Sequence, residues 1–280
     1  MQNIKFKVFL IWLTGLGTVW GSLSLEEQEY SPALMPAQSS SEIALVKYRT
    51  NRPYGSGQIT LRRFQDRERI RYHLIIEGRG NYDTFHNVRW RKTALLEERR
   101  AWLYTLKSSI QIRSLDGHPL VQYQKDFDYA AHKVIYHKIN KYGHIVRQKE
   151  FPIQGRICDE VTMIYFLKVF AALGGKDESP KFYLLTSEPR LYHVWIKNPK
   201  RERLSLPLGE VEAVRLQLIA DVGPLTDLAV RIVPPTFVWF AAHHPYTWLQ
   251  YEGMDAGYGS PKVRIFLKKH LTNSPAPVPE

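Results

Sequence analysis

The sequence predicts a mainly β (α+β) chain in which a strongly curved antiparallel sheet, an open half-barrel, wraps around one apolar helix. Three observations predict it. Short runs alternate apolar and polar residues again and again along the chain, the pattern of antiparallel strands with one face in a core and the other in water. Aromatic residues make up 12% of the 280 residues, with 16 Tyr and 7 Trp against 4 Met, which favours large cross-strand side chains over helix-on-helix packing. The stretch from Glu160 to Leu173 is apolar almost all round a helix, and such a helix has to be buried on most sides.

The elements follow in order. Residues 1–24 read as a secretory signal: Lys5 and Lys7 precede the apolar run from Val8, and small residues offer cleavage after Gly21 or Ser24. The run ending at Trp20 contains Gly15 and Gly17 and falls short of the roughly 20 residues that span a bilayer, so an uncleaved anchor is the weaker reading. No cysteine lies nearby to carry a lipid. Residues 25–41, rich in Glu, Pro, Ser and Gln, read as a flexible lead-in, residues 42–271 as one domain, and residues 272–280 as an open tail.

Within the domain, Ile70, Tyr72, Leu74 and Ile76 form the apolar face of one strand, with Arg69, Arg71 and His73 on the other. Trp102, Tyr104 and Leu106 repeat the period, as do Val134 and Tyr136, then Tyr192, Val194 and Ile196, then Val214, Leu216 and Leu218, and finally Val263, Ile265 and Leu267. Turns are expected at Pro53-Tyr54-Gly55, Glu77-Gly78-Arg79-Gly80, Asp116-Gly117, Lys141-Tyr142-Gly143 and Leu208-Gly209. Asp159 is placed to cap the helix, and Gly174-Gly175 to end it. Too short to cross a membrane, the helix is accommodated most economically in the mouth of an open barrel, and such barrels enclose apolar cavities.

Composition removes several classes. The apolar fraction of 44% is too high for a disordered chain, and a single cysteine excludes a disulfide scaffold. That cysteine, Cys158, stands beside Asp159 and Glu160, which oppose a thiolate, so it reads as a buried free thiol rather than a nucleophile. His132, His137, His144, His243 and His244 lack partners at a metal-binding spacing. Neither Gly55-Ser56-Gly57 nor Gly259-Ser260-Pro261 is a nucleophile elbow. Glu97-Glu98 fits a solvated face rather than a catalytic acid pair. No enzyme, metal or cofactor is expected.

The chain carries 39 Lys+Arg against 27 Asp+Glu, a formal +12. A chain cleaved after Gly21 keeps 37 Lys+Arg and +10, so the basicity belongs to the folded part. Export argues against nucleic acid as partner. Arg62, Arg63, Arg67, Arg69 and Arg71, followed by Arg89, Arg91 and Lys92, have two readings. They are the wet faces of half-buried strands, or an anion-attracting rim in which Arg69, Arg71, Arg89 and Arg91 meet a headgroup. Trp239, Phe240, Tyr246, Trp248 and Tyr251 either line a cavity mouth or pack a core.

The run Asp159-Glu160-Val161-Thr162-Met163-Ile164-Tyr165-Phe166-Leu167-Lys168, the segment Leu206-Pro207-Leu208-Gly209-Glu210-Val211-Glu212, and Phe237-Val238-Trp239-Phe240-Ala241 with Pro245 and Gly253 carry a resemblance. Over about Glu42 to Lys268 the chain resembles an uncharacterised family of periplasmic domains of unknown function whose fold is similar to that of the lipoprotein carriers LolA and LolB. The resemblance implies an incomplete β-barrel with helices across its concave side and a role in handling a hydrophobic ligand or a lipoprotein. It supplies no catalytic residues.

The expectation is therefore a non-enzymatic, periplasmic or secreted binding or carrier protein. Ile164, Phe166, Phe170, Trp239 and Trp248 are expected to line its cavity, and a lipid or lipoprotein acyl chain to fill it, with peripheral contact to a membrane. An envelope assembly factor acting on a protein partner is the alternative, and a periplasmic hydrolase the second.

Overall fold

The computed structural model describes residues 35, 38–99, 102–173, 181–221, 235–256 and 259–271. The expected signal segment, the tail 272–280 and the Gly174-Gly175 helix stop lie outside them. The chain runs through β1 (Gln38–Lys47), β2 (Pro53–Asp66), β3 (Arg69–Tyr82), β4 (Phe85–Arg99), β5 (Trp102–Ser114), β6 (Pro119–Asp128), β7 (Lys133–Asn140), β8 (Ile145–Pro152) and β9 (Ile157–Asp159). The helix α1 (Met163–Leu173) follows, then β10 (Lys181–Leu185), β11 (Leu191–Leu206), β12 (Gly209–Asp221), β13 (Thr236–Ala241), β14 (Trp248–Met254) and β15 (Lys262–Leu271).

These strands make one sheet in the order β8-β7-β6-β5-β4-β3-β2-β1-β15-β14-β13-β12-β11-β10-β9. Two meanders meet where β1 pairs with β15, with Leu45 opposite Ile265. Neighbours are antiparallel except β9 and β10, where Cys158 lies opposite Leu184 in a parallel pair. Short hairpins explain this order, since antiparallel neighbours need only a tight turn. Gly117, Gly143 and Gly209 supply the positive φ of three such turns, at 96°, 84° and 107°.

The two end strands do not bond to each other, so the sheet is strongly curved but not closed. Its ends meet through side chains instead. Phe127 of β6, Val134 of β7, Ile157 of β9 and Leu185 of β10 form a small core of their own, and the Tyr136 hydroxyl donates to the Ser187 carbonyl at 2.7 Å. A larger core runs along the concave face, from Leu45, Leu61 and Leu74 to Leu216 and Phe240, and takes in the buried side of α1.

The helix begins at Met163, later than the Glu160 start read from sequence. Thr162 is the cap: its carbonyl accepts from the amides of Tyr165 (3.0 Å) and Phe166 (3.1 Å). Asp159 holds the turn before it, its Oδ1 accepting from the amides of Val161 (3.2 Å) and Thr162 (3.0 Å). Phe166 packs on Trp102 and Phe182, with ring centroids 5.5 and 5.1 Å apart. The helix touches β5, β9, β12 and β13, and Lys168 is buried on it with its apolar neighbours.

Three expectations need correction. Met35 is buried and β1 starts at Gln38, so the stretch 25–41 enters the fold before it ends. Trp102 is buried, but the core-facing places around it belong to Leu103 and Thr105, with Tyr104 and Leu106 half-buried. The cause is a bulge: Leu95 pairs with Lys107 but Leu96 with Thr105, leaving Leu106 over and switching the faces. Glu77-Gly78-Arg79-Gly80 is no turn but the interior of β3, and Pro53-Tyr54-Gly55 opens β2. Gly57 and Gly78 face each other across β2 and β3, and Gly78 faces Trp90 of β4. Gly78 is a glycine because the Trp90 indole lies on it, and Gly57 because the Glu77 carbonyl of β3 leaves no room for a Cβ, with Trp90 beside it.

Candidate functional site

The concave face holds a cavity of about 560 Å³, within the size range of small-molecule sites. Alternating residues of several strands line it: Leu45, Ile59 and Ile76 from β1 to β3, Val194 and Leu218 from β11 and β12, and Ile265 from β15. Val161, Met163 and Ile164 close one side from the start of α1, and Trp248 and Tyr251 another from β14.

Lys92 and Arg190 are cationic lining residues, and Glu160 and Asp255 acidic ones. Strand alternation puts Lys92 there: Val88, Trp90, Ala94 and Leu96 of β4 are buried in the main core, and Lys92 occupies the remaining inward position. Its ammonium lies 4.7 Å from the ring centroid of Tyr82 and 5.6 Å from that of Trp90. Burial pulls its pKa below the usual lysine range, against the opposing pull of Asp255 and Glu160. The Tyr82 hydroxyl and the Trp90 indole N–H, both buried on lining residues, have no hydrogen-bond partner.

The acids are partnered. Asp255 Oδ2 accepts from the Tyr54 hydroxyl at 3.1 Å and the Asp83 amide at 2.8 Å. Burial pushes its carboxyl above the ordinary range, and Lys92, the largest opposing influence, offsets this only in part. Glu160 accepts from Ser187 and from Lys125. Lys125 of β6 is fully buried, bonds also to Asp159 (3.2 Å) and the Leu185 carbonyl (3.3 Å), and so ties the sheet to the start of the helix. Its pKa stays raised although burial works against the charge, because Glu160 and Asp159 outweigh it.

Of the residues expected to line the cavity, Ile164 and Trp248 do. The others are corrected. Phe166 and Phe170 turn to Trp102, at 5.5 and 5.6 Å between centroids, because the helix presents those positions to β5. Trp239 is buried in a separate cluster with Ala213, Leu249 and Leu267, while its strand neighbours Val238 and Phe240 enter the main core. Its indole donates to Glu202 at 2.8 Å.

The arginines expected at a rim are not in the cavity lining either. Glu97, buried, accepts from Arg69 (3.3 Å), Arg71 (3.1 Å) and Arg99 (2.7 Å), and Arg71 also pairs with Asp66. Burial pushes the Glu97 carboxyl up, but the arginine hydrogen bonds prevail and hold it below its usual range. Arg91 pairs with Glu77 at 3.3 Å. Arg89 is exposed between its cross-strand neighbours Arg79 and Arg113.

Cys158 is buried, and burial, then Asp159 and Glu160, push its thiol well up. His243 pairs with Glu212 at 3.1 Å in an exposed position. Among the described residues no cluster of three His, Cys, Asp or Glu is placed to hold a metal ion, and no helix is long and apolar enough to cross a membrane.

No protein-family model matches the chain, and no curated protein matches it. Among solved structures it is similar to a beta-barrel-like protein of domain of unknown function DUF1849 from Brucella abortus, with a TM-score of 0.47 and 10% identity over 85% of this chain and 97% of that one.

Proposed function

We propose that the protein is an exported, non-enzymatic binding or carrier protein of the cell envelope, and that its concave cavity takes an apolar, lipid-like ligand bearing an anionic group. The observation that carries this reading is the cavity itself: about 560 Å³, walled largely by apolar side chains, with Lys92 and Arg190 in its lining beside Glu160 and Asp255. A hollow of this size, largely apolar with a few polar groups, has the make-up of a small-molecule site. The start of α1 forms part of the wall, in keeping with an open barrel arranged around the helix as in LolA-like carriers. The outward row of Arg79, Arg89 and Arg113 supplies a cationic surface for peripheral contact with an anionic membrane.

Native mass spectrometry of gently purified protein, followed by solvent extraction, tests the reading. A co-purifying or exchangeable lipid is expected; repeated absence of either overturns it. The second reading, an assembly factor that recruits another envelope protein, is favoured by β8, a sheet-edge strand with Ile145 and Val146 exposed. Crosslinking in intact cells separates the two, since a carrier traps lipid or lipoprotein and an assembly factor one stable protein partner.

A further inference from the structure

The cross-strand register draws one line over the concave face, through Ile59, Ile76, Lys92, Ile110, Tyr123, Lys138 and Arg147 of β2 to β8. The line starts in the cavity, which Ile59, Ile76 and Lys92 help to wall. It ends in water. Arg147 and Lys149 are exposed although they share the face of the buried Val134 and Tyr136, their partners or near partners on β7. The overlap of the sheet's ends covers Phe127 and Val134 and reaches as far as Tyr136, whose hydroxyl holds the Ser187 carbonyl; beyond it Lys138 is half-buried and Arg147 exposed. The cavity reaches the same turn, because Thr186 and Arg190, on either side of Ser187, both line it.

Cations gather at this open edge. Lys138 lies directly opposite Arg147, a like-charge pairing that costs stability by itself, and among the described residues neither forms an ion pair. The Lys138 ammonium instead stands 5.7 Å from the Tyr123 ring centroid. The Arg190 side chain meets Glu188 at 3.8 Å, with 58% and 63% of the two exposed, a contact worth little in water. Burial pushes the carboxyl of Asp83, the other acid here, upward; Glu188 adds to this and Lys138 opposes it. Deeper in, Lys92 and Lys125 stand among Asp159, Glu160 and Asp255, so the interior offers an anion no surplus of positive charge.

We propose that Lys138, Arg147 and Arg190 hold the phosphate headgroup of a lipid whose apolar tail lies in the cavity. The inference rests on the ligand-carrying reading above and names the headgroup and its place. Two cations directly opposite each other, with a third on the facing turn, suit a group whose charge is spread over several oxygens, and a guanidinium takes two of these in parallel. A phosphate monoester supplies a charge nearer −2 and three oxygens, where a carboxylate brings one charge to three cations. Lys138 stands three strand spacings from Lys92, about 14 Å along the sheet. The headgroup therefore stays at the edge, in reach of water, while the tail follows the row of side chains inward.

Titration calorimetry with dodecyl phosphate, laurate and dodecanol, each below its aggregation limit, tests the assignment. Dodecyl phosphate is expected to bind wild type about 10-fold more tightly than dodecanol at low ionic strength, the worth of a few exposed charge contacts. Laurate is expected to fall between them, and about 1 M salt to remove most of the preference. Combining Lys138→Gln with Arg147→Gln should abolish most of the preference and leave dodecanol binding unchanged. Lys107→Gln, which removes an outer-face cation paired with Asp126 at 3.1 Å, should leave the preference intact. Equal binding of dodecyl phosphate and dodecanol, laurate bound as tightly as the phosphate, or a preference that survives the double variant overturns the headgroup assignment while the carrier reading stands. Failure of all three probes to bind overturns both.

Discussion

Gly78 lies directly beneath the indole of Trp90. A Cβ on Gly78 would stand 2.6 Å from Trp90 Cε2, with two further ring atoms closer still. The contact ties β3 to the cavity wall, because the ring resting on bare β3 backbone belongs to a residue that lines the pocket. Gly78→Ala is expected to destabilise the protein by about 1–3 kcal/mol through overpacking. Combining it with Trp90→Leu should recover most of that loss in a denaturation-based double-mutant cycle. Additive losses would show that Gly78 is required for some other reason.

Lys125 sets a second expectation. It is fully buried between Asp159 and Glu160, and removing one partner of a buried ion pair leaves charge without compensation. Lys125→Met is expected to cost about 3–5 kcal/mol in urea denaturation. The loss should exceed that of Lys133→Met, whose partner Glu150 is exposed, by several-fold.

Glu97 contributes to the acid limb of stability. Its folded pKa is held below the usual range, so the unfolded chain binds the proton more readily and stability increases with pH across that interval. The contribution is complete above the ordinary glutamate range and is lost as pH falls through the folded value. Glu97→Gln is expected to lower stability by roughly 1.5–3 kcal/mol at pH 7, and the gap from wild type should shrink on acidification. Thermal melts from pH 7 to pH 3 check the convergence; a constant gap would assign the effect to packing.

Strand β8 is an edge strand with Ile145 and Val146 56% and 55% exposed, the arrangement through which sheets join other chains. Replacing both with Lys is expected to leave the melting temperature within a degree or two, as for exposed surface substitutions. Light scattering should show less self-association at high protein concentration. An unchanged scattering profile would remove β8 as a contact surface.

Much of the fold is legible in the sequence, and particular residues mark where legibility stops. Tyr72, Leu74 and Ile76 alternate in the sequence and are buried as the period requires. Tyr104 and Leu106 alternate equally well yet lose their places to Leu103 and Thr105, because a bulge is a property of the pairing with β4, which one strand's sequence does not contain. Glycines 55, 57, 78 and 80 have the composition of turns, and what explains them inside β2 and β3 lies on paired strands: the Trp90 ring over Gly78, and close backbone carbonyls at Gly55, Gly57 and Gly80.

The site divides in the same way. Lys92 is legible in principle, since it fills a core-facing slot in Val88, Trp90, Lys92, Ala94 and Leu96, but beside Arg89 and Arg91 it reads as part of a surface charge cluster. Asp255 carries no such signal: it follows β14 and enters the cavity wall through contacts with Tyr54 and Asp83, some 200 and 172 residues away.

A barrel closed by hydrogen bonds has a girth fixed by its strand number and stagger. Here the sheet's two ends overlap through Phe127, Val134, Ile157 and Leu185, as a belt overlaps without a buckle. The overlap is pinned as well as packed, since Lys125 of β6 bonds to Asp159 and the Leu185 carbonyl and the Tyr136 hydroxyl to the Ser187 carbonyl, so the girth of the hollow is held by side chains where a closed barrel holds it by rungs of the ladder.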